Sequence, residues 1–295
     1  MGGTDLEKNT HAVLITAYKN YQYLVFLARW LTKNFDVYVH IDKKSIEIGC
    51  EEQAELKRIG CHVISNYSIC WGGVNHLYAV LDLLRLAVVN EYDYYHLISG
   101  EDVLVNSYAQ VQERFSGNDK IYISCHDAVR DPMWNIRYRY WYFFKNKDIR
   151  ARFYRNANQL SLGLQKLFCV NRRSIGGEEN ICKGYLYGDF PHDAVQYVLR
   201  YVATNPKFLR DLEYTYIPEE FFFQTIFINS PLSDRIAYNC LRYSIWEYKH
   251  GSIPGYLDET DWPMIRSGDY LFARKVNYQM SETLISMAKD YYDAE

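Results

Sequence analysis

The chain has 295 residues, 48% of them hydrophobic and 23% charged, an ordinary globular composition with room for one large α/β domain or two intimate lobes. The net charge of −3 gives no reason to expect a nucleic-acid partner, and nothing signals disorder or low complexity. No apolar run approaches the ~18 residues of a membrane-spanning helix, and seven cysteines without a C-x-x-C pair suggest reduced structural thiols in a cytoplasmic protein.

Residues 12–18 are a short apolar run that predicts a buried strand, followed by a helical pattern over 20–33. Residues 36–41 read as the next strand and end at Asp42. A charged helix over 51–58 leads to a strand at 61–65. Residues 75–89 carry Leu77, Val80, Leu81, Leu84, Ala87 and Val88 at helical spacing, and 94–99 read as a fourth strand. Short apolar strands separated by helices predict a parallel sheet covered on both faces. Ligands of such sheets bind beyond the carboxyl ends of the strands, which singles out residues 17–19, 42–44 and 99–102. The first strand is followed by neither G-x-G-x-x-G nor a P-loop, so nucleotide binding would need another architecture.

The second half is less regular. Residues 138–145 mix aromatic and basic side chains, a pattern that suits a membrane surface, an acceptor-side wall or plain core, with core favoured. Residues 156–170 and 192–202 look helical, with a turn-rich stretch at Gly176-Gly177-Glu178-Glu179 between them. Pro218 opens another helix with Glu219 and Glu220 in its first turn. Residues 237–247 read as a strand and 281–292 as a terminal helix. With no linker and no repeat, residues 1–295 form one domain: a nucleotide-binding half over 12–105, an acceptor and catalytic half over 106–280, and the last helix.

Four features carry chemistry. Aromatic residues make up 17% of the chain, including 29 tyrosines, which suits stacking on sugar rings or an aromatic core equally well. In Ile217-Pro218-Glu219-Glu220-Phe221, a carboxylate beside aromatics can act as a general base or simply cap its helix. Trp246 and Tyr248 share a face if 237–247 is a strand, and so form a sugar platform or part of the core. Arg274-Lys275 can meet a diphosphate or stand as a solvated pair. Asp-x-Asp, the usual metal signature of nucleotide-sugar enzymes, is absent, and the nearest acidic pair is Glu101-Asp102.

Five segments in order resemble the core-2/I-branching N-acetylglucosaminyltransferases, a family that includes peptide O-xylosyltransferases. Val39-His40-Ile41-Asp42-Lys43-Lys44-Ser45 is similar to H-x-D-x-K-S, and His96-Leu97-Ile98-Ser99-Gly100-Glu101-Asp102 to L-x-S-G-x-D. Pro218-Glu219-Glu220 is similar to P-D-E, Arg242-Tyr243 with Trp246 to R-Y-x-x-W, and Phe272-Ala273-Arg274-Lys275 to F-A-[NR]-K. The resemblance runs over residues 12–277. It implies a GT-A-type mixed sheet flanked by helices with an acceptor-side lobe, and an inverting, metal-independent transferase without a cofactor.

The same resemblance implies that Glu220 is the base and that Lys275, with Arg274, stabilises the leaving diphosphate. Ala17, Tyr18, Lys19, Asp42 and Trp71 would hold the nucleotide. Glu101, Asp102, Tyr185, Trp246 and Tyr248 would face sugar or acceptor. Gly184-Tyr185-Leu186-Tyr187 falls on G-S-x-[YW] with Tyr185 in place of serine, and the stretch before Trp262 also departs from the pattern. The expected donor is a UDP-sugar, UDP-N-acetylglucosamine first and UDP-xylose, UDP-galactose or UDP-glucuronate as alternatives. The expected acceptor is a glycan or a lipid-linked oligosaccharide. Lacking the signal anchor and disulfides of the animal enzymes, the chain resembles a bacterial relative that builds a surface polysaccharide in the cytoplasm, in peripheral contact with the membrane. An inactive carbohydrate-binding protein is the alternative of another class.

Overall fold

The computed structural model describes residues 10–144 and 146–294. In chain order the first half contains β1 (His11–Ala17), α1 (Tyr21–Leu31), β2 (Asp36–Ile41), α2 (Cys50–Ile59), β3 (His62–Ile64), α3 (Asn75–Ala87) and β4 (Tyr94–Ser99). Then come β5 (Asp102–Leu104), α4 (Tyr108–Phe115), β6 (His126–Asp127), α5 (Pro132–Arg139), α6 (Arg152–Leu167), β7 (Cys182–Lys183), β8 (Gly188–Pro191), α7 (His192–Thr204) and α8 (Pro206–Leu212). The chain ends with α9 (Glu219–Ile228), β9 (Arg242–Tyr243), α10 (Trp262–Ser267), β10 (Phe272–Arg274) and α11 (Glu282–Asp293).

The main sheet has the order β3-β2-β1-β4-β8. β1 to β4 run parallel, as the alternation of strands and helices in the first third predicts, and β8 lies antiparallel against β4, so the sheet is mixed, as the family resemblance implies. β1 is buried along its whole length because it lies between β2 and β4 with helices on both faces. Val13 and Ile15 face one apolar core with α1, and Leu14 faces the other with α3, α7 and α9. Helix α1 buries Tyr23, Leu24, Leu27, Ala28 and Leu31, the stripe its spacing predicts.

From β1 the chain moves outward to β2 and β3, then returns through α3 to β4 on the other side of β1. The strand order reverses between β1 and β4, and in sheets of this kind the ligand crevice lies beyond the carboxyl ends of the strands at such a reversal. Gly100 allows the two ends to close up: a Cβ on it would stand 2.9 Å from the Ala17 Cβ. A second sheet, β5-β10-β9, places Arg274 opposite Asp102 in its register.

Helix α9 is buried around its circumference from Phe221 to Phe227, mostly by apolar side chains, with Gln224 and Thr225 donating to the carbonyls of Tyr185 and Cys182. Its first turn therefore sits on a rigid internal rod. Two other predicted elements differ. The helix expected at 156–170 spans Arg152–Leu167. The strand expected at 237–247 shrinks to Arg242–Tyr243, because left-handed backbone at Tyr238 and Leu241, with φ of 54° and 53°, breaks the extended run.

Candidate active site

Glu101 lies just beyond β4, at the carboxyl ends of the strands. One of its oxygens meets the Lys19 ammonium at 3.1 Å and the other meets Lys275 at 3.1 Å. The Lys19-facing oxygen also accepts from the Asn20 side-chain amide at 3.1 Å and from the Tyr256 hydroxyl at 3.4 Å. Burial works against the Lys19 charge, but Glu101 overrides it and raises the Lys19 pKa above its ordinary value. Two ammonium groups thus share one carboxylate at the crevice, leaving one net positive charge for an incoming anion.

The other expected nucleotide residues lie at the ends of β1 and β2 and in the segment between β3 and α3. Asp42, at the end of β2, accepts from the backbone N–H of Lys44 at 2.9 Å and of Ile69 at 3.1 Å. It thereby ties the loop after β2 to the segment leading to Trp71. Ala17 is buried at the end of β1, whereas Tyr18 and Trp71 are exposed. Trp71 meets Tyr216 edge-on with centroids 6.1 Å apart, and the Arg150 guanidinium sits 5.7 Å over its ring.

Asp102 and Arg274 form an internal pair. Asp102 is fully buried, accepts from the backbone N–H and hydroxyl of Ser99 at 2.8 and 2.9 Å, and pairs with Arg274 at 3.2 Å. Arg274 in turn lies 4.3 Å over the Tyr187 ring and 5.7 Å over Tyr185. Asp102 is therefore enclosed, and Arg274 joins β10 to β5 through it. Of the expected cation pair, Lys275 faces the crevice cluster and Arg274 faces inward.

Glu220 stands in the first turn of α9. Ile217, three residues earlier, has a φ of 55°, a conformation that costs a β-branched residue on the order of 1–3 kcal/mol and that bends the chain into the helix. The Glu220 carbonyl accepts from the N–H of Gly184 at 2.8 Å. A Cβ on Gly184 would meet the Ser124 carbonyl at 1.9 Å, so only glycine allows this approach. The Glu220 carboxylate lies 3.3 Å from Arg137, whose guanidinium stacks 3.9 Å over Trp134, with the Lys183 ammonium 3.7 Å over the same ring.

Burial raises the Glu220 pKa to about 7, the Glu219 charge adds to the rise, and Arg137 and Lys183 partly oppose it. Glu219 turns away toward His76, 3.6 Å from Nδ1, and the other ring nitrogen of His76 lies 3.2 Å from the Thr16 hydroxyl. The two glutamates therefore differ in setting: Glu219 is drawn toward the strand ends, and Glu220 keeps a partly solvated carboxylate that can be neutral or charged near pH 7.

Tyr185 follows Gly184, which bonds the Glu220 backbone, and meets the loop after β9. Its ring centroid is 5.5 Å from that of Trp246, and its hydroxyl lies 3.2 Å from Ser244. Trp246 and Tyr248 are exposed and sit in a loop after β9 rather than on a strand. The shared face expected from strand alternation is corrected accordingly, and Trp246 is placed by Tyr185 instead. Arg242 of the same segment is internal: it makes bonds of 2.5 and 2.9 Å to Asp189, which also accepts from His96 at 2.8 Å.

His76, Arg137, Lys183 and Tyr256 were not anticipated from sequence. Arg137 alone left a local signal, its three-residue spacing from Trp134 on a helix opened by Asp131-Pro132. The other three come from separate segments that only the tertiary fold brings together.

A mixed sheet flanked by helices, with its crevice at a strand-order reversal, is consistent with the GT-A-like class of glycosyltransferase folds. The Core-2/I-Branching enzyme family matches residues 12–262, and the chain belongs to that family, whose members are glycosyltransferases. No curated protein matches the chain. No helix of the described residues is long and apolar enough to cross a membrane.

Proposed function

We propose that the protein is an inverting, metal-independent transferase that moves N-acetylglucosamine from its UDP-sugar to a glycan hydroxyl, in the building of a bacterial surface polysaccharide. The observation that carries this reading is Glu220, a partly solvated carboxylate with a pKa raised to about 7 and fixed by a buried helix. A base is most useful when its pKa lies near the working pH.

Glu220 takes the proton from the acceptor hydroxyl while that oxygen attacks the anomeric carbon. The bond from that carbon to the phosphate oxygen breaks on the opposite face, and a single displacement inverts the centre. The leaving diphosphate gains charge as it departs. Lys275 and Lys19 supply two ammonium groups to meet it, released from Glu101 by the stronger anion. Ala17, Tyr18, Asp42 and Trp71 border the nucleotide, and Tyr185, Trp246 and Tyr248 meet the acceptor. Cations at the place where many related chemistries use a divalent ion support the metal-independent reading.

Calorimetric titration of UDP, with and without EDTA, tests it. Binding should survive EDTA, and Lys275→Ala should weaken it roughly 10- to 100-fold, the cost of one charge-assisted hydrogen bond. Binding lost in EDTA would replace the lysine mechanism with a metal-assisted one. Unchanged affinity in Lys275→Ala would put the diphosphate elsewhere.

A further inference from the structure

Helix α6 has its polarity reversed with respect to the protein. Its buried side chains are Asn158 and Gln165. Gln165 accepts from the backbone N–H of Trp141 and donates to the carbonyl of the same residue, each at 2.9 Å, so a polar latch fixes the helix to the body. On the outer side Phe153, Leu160, Leu164 and Leu167 recur at steps of seven, four and three, forming one stripe with exposures between 48% and 72%. Phe168 extends the stripe past the helix end and is also exposed. An ordinary surface helix places such a stripe inward.

The charge around the stripe is one-sided. From Arg137 to Arg173 the sequence carries Arg or Lys at ten positions and one acid, Asp148. Asp148 is taken up by Arg150 at 2.8 Å, and Arg152, Arg155, Lys166 and Arg173 remain exposed around the helix. A second copy of the chain docked through this face would bring one basic rim against another. A surface with an apolar interior and negative headgroups matches both features at once.

We propose that α6 is a docking face for an anionic lipid surface, its Phe and Leu stripe lying among the acyl chains and its basic rim among the headgroups. In the sequence pattern that suits a membrane, residues 138–145, Tyr138 and Tyr142 are buried and Phe143 is exposed, and the longer outward stripe belongs to the following helix. The chain just before α6 runs past the crevice, with Ile149 against Gly72 and Arg150 over Trp71. A protein seated on this face holds its crevice rim close to the lipid surface.

The test needs no assay of transfer, so its failure is separable from failure of the catalytic reading. The full chain is sedimented with vesicles of phosphatidylcholine alone or mixed with phosphatidylglycerol. Binding should appear only with phosphatidylglycerol and weaken as salt rises. The pair Leu160→Glu with Leu164→Glu should reduce it at least roughly tenfold, with thermal stability unchanged because both side chains already stand in solvent. Arg152→Gln and Arg155→Gln, which leave the stripe intact, should each weaken it about fivefold. No binding to either vesicle, equal binding to both, or binding indifferent to these four substitutions would overturn the proposal. So would a dimer that the leucine substitutions dissolve in a protein that does not bind vesicles.

Discussion

Asp189 and Glu101 are both acids held between two positively charged or protonatable neighbours, yet they do opposite things. Asp189 is sealed inside, where the planar fork of Arg242 makes two bonds to it and also reaches the carbonyls of Leu97 and Gly188 at 3.1 and 3.2 Å. Glu101 stands at the crevice and meets two lysines, each through a single point on a flexible stem. A guanidinium fixed at several points cannot turn to another anion without leaving buried charge unpaired, whereas an ammonium can. The first cluster therefore joins β4 and β8 to β9 as part of the fold, and the second is arranged to exchange partners. Glu220 belongs with Glu101, since its carboxylate keeps some solvent and sits among cations that do not neutralise it outright.

Glu220→Gln should separate the two kinds most widely. We expect kcat to fall about 10²- to 10⁴-fold with UDP affinity retained and the fold intact. In the wild type, kcat/KM should rise with pH through about 7, as Glu220 loses its proton, and level off above it. A flat profile, or a Gln variant that turns over normally, would remove Glu220 from the mechanism and leave it a helix-capping acid.

Arg242→Ala should do the reverse, costing about 3–5 kcal/mol of stability in chemical denaturation because Asp189 is left buried and unpaired. Adding Asp189→Asn should recover part of the loss, and strict additivity of the two would show that the pair is not coupled. The sealed cluster also sets an acid limit. Burial, and then the neighbouring His96, lower the His11 pKa from 6.5 to about 3, so the unfolded chain takes up that proton first and stability falls as pH drops between those values. Burial alone would raise the Asp189 pKa, but Arg242 and His96 hold it below 3.8, so its contribution is lost as pH falls from 3.8 through its lower folded value. Glu220 has the opposite sign: the folded state binds its proton near 7 and the unfolded state near 4.5, so ionisation of Glu220 weakens the fold as pH rises across that range.

How much of this was legible in the sequence follows the same division. β1, β2 and β4 are short apolar runs bounded by polar residues, and hydrophobic pattern alone locates them and the crevice at their ends. Pro218-Glu219-Glu220 could be placed in a first helical turn because proline and acids both favour that position. The direction of β8 was not legible, since an edge strand of four residues has no pattern that distinguishes parallel from antiparallel. Nor was the inward turn of Arg274, which depends on Asp102 lying opposite it across β10 and β5. Helix α6 shows the limit most plainly: periodicity gives an apolar stripe, but only Gln165 bonding to Trp141 decides that the stripe faces out.

The smallest expected effect concerns the loop after β9. Trp246 is exposed and is held at one edge by Tyr185, so removing it empties no core and should leave stability nearly unchanged. If its free face stacks on the acceptor, Trp246→Ala should raise the acceptor KM roughly 2- to 10-fold, the worth of one aromatic contact, with the donor KM and the pH profile unmoved. An unchanged acceptor KM would reduce the ring to a cover for Tyr185 and shift acceptor recognition to Tyr185 and Tyr248. A rise in the donor KM instead would place the loop over the nucleotide-sugar. The aromatic content that first suggested carbohydrate would then be accounted for on the donor side of the crevice.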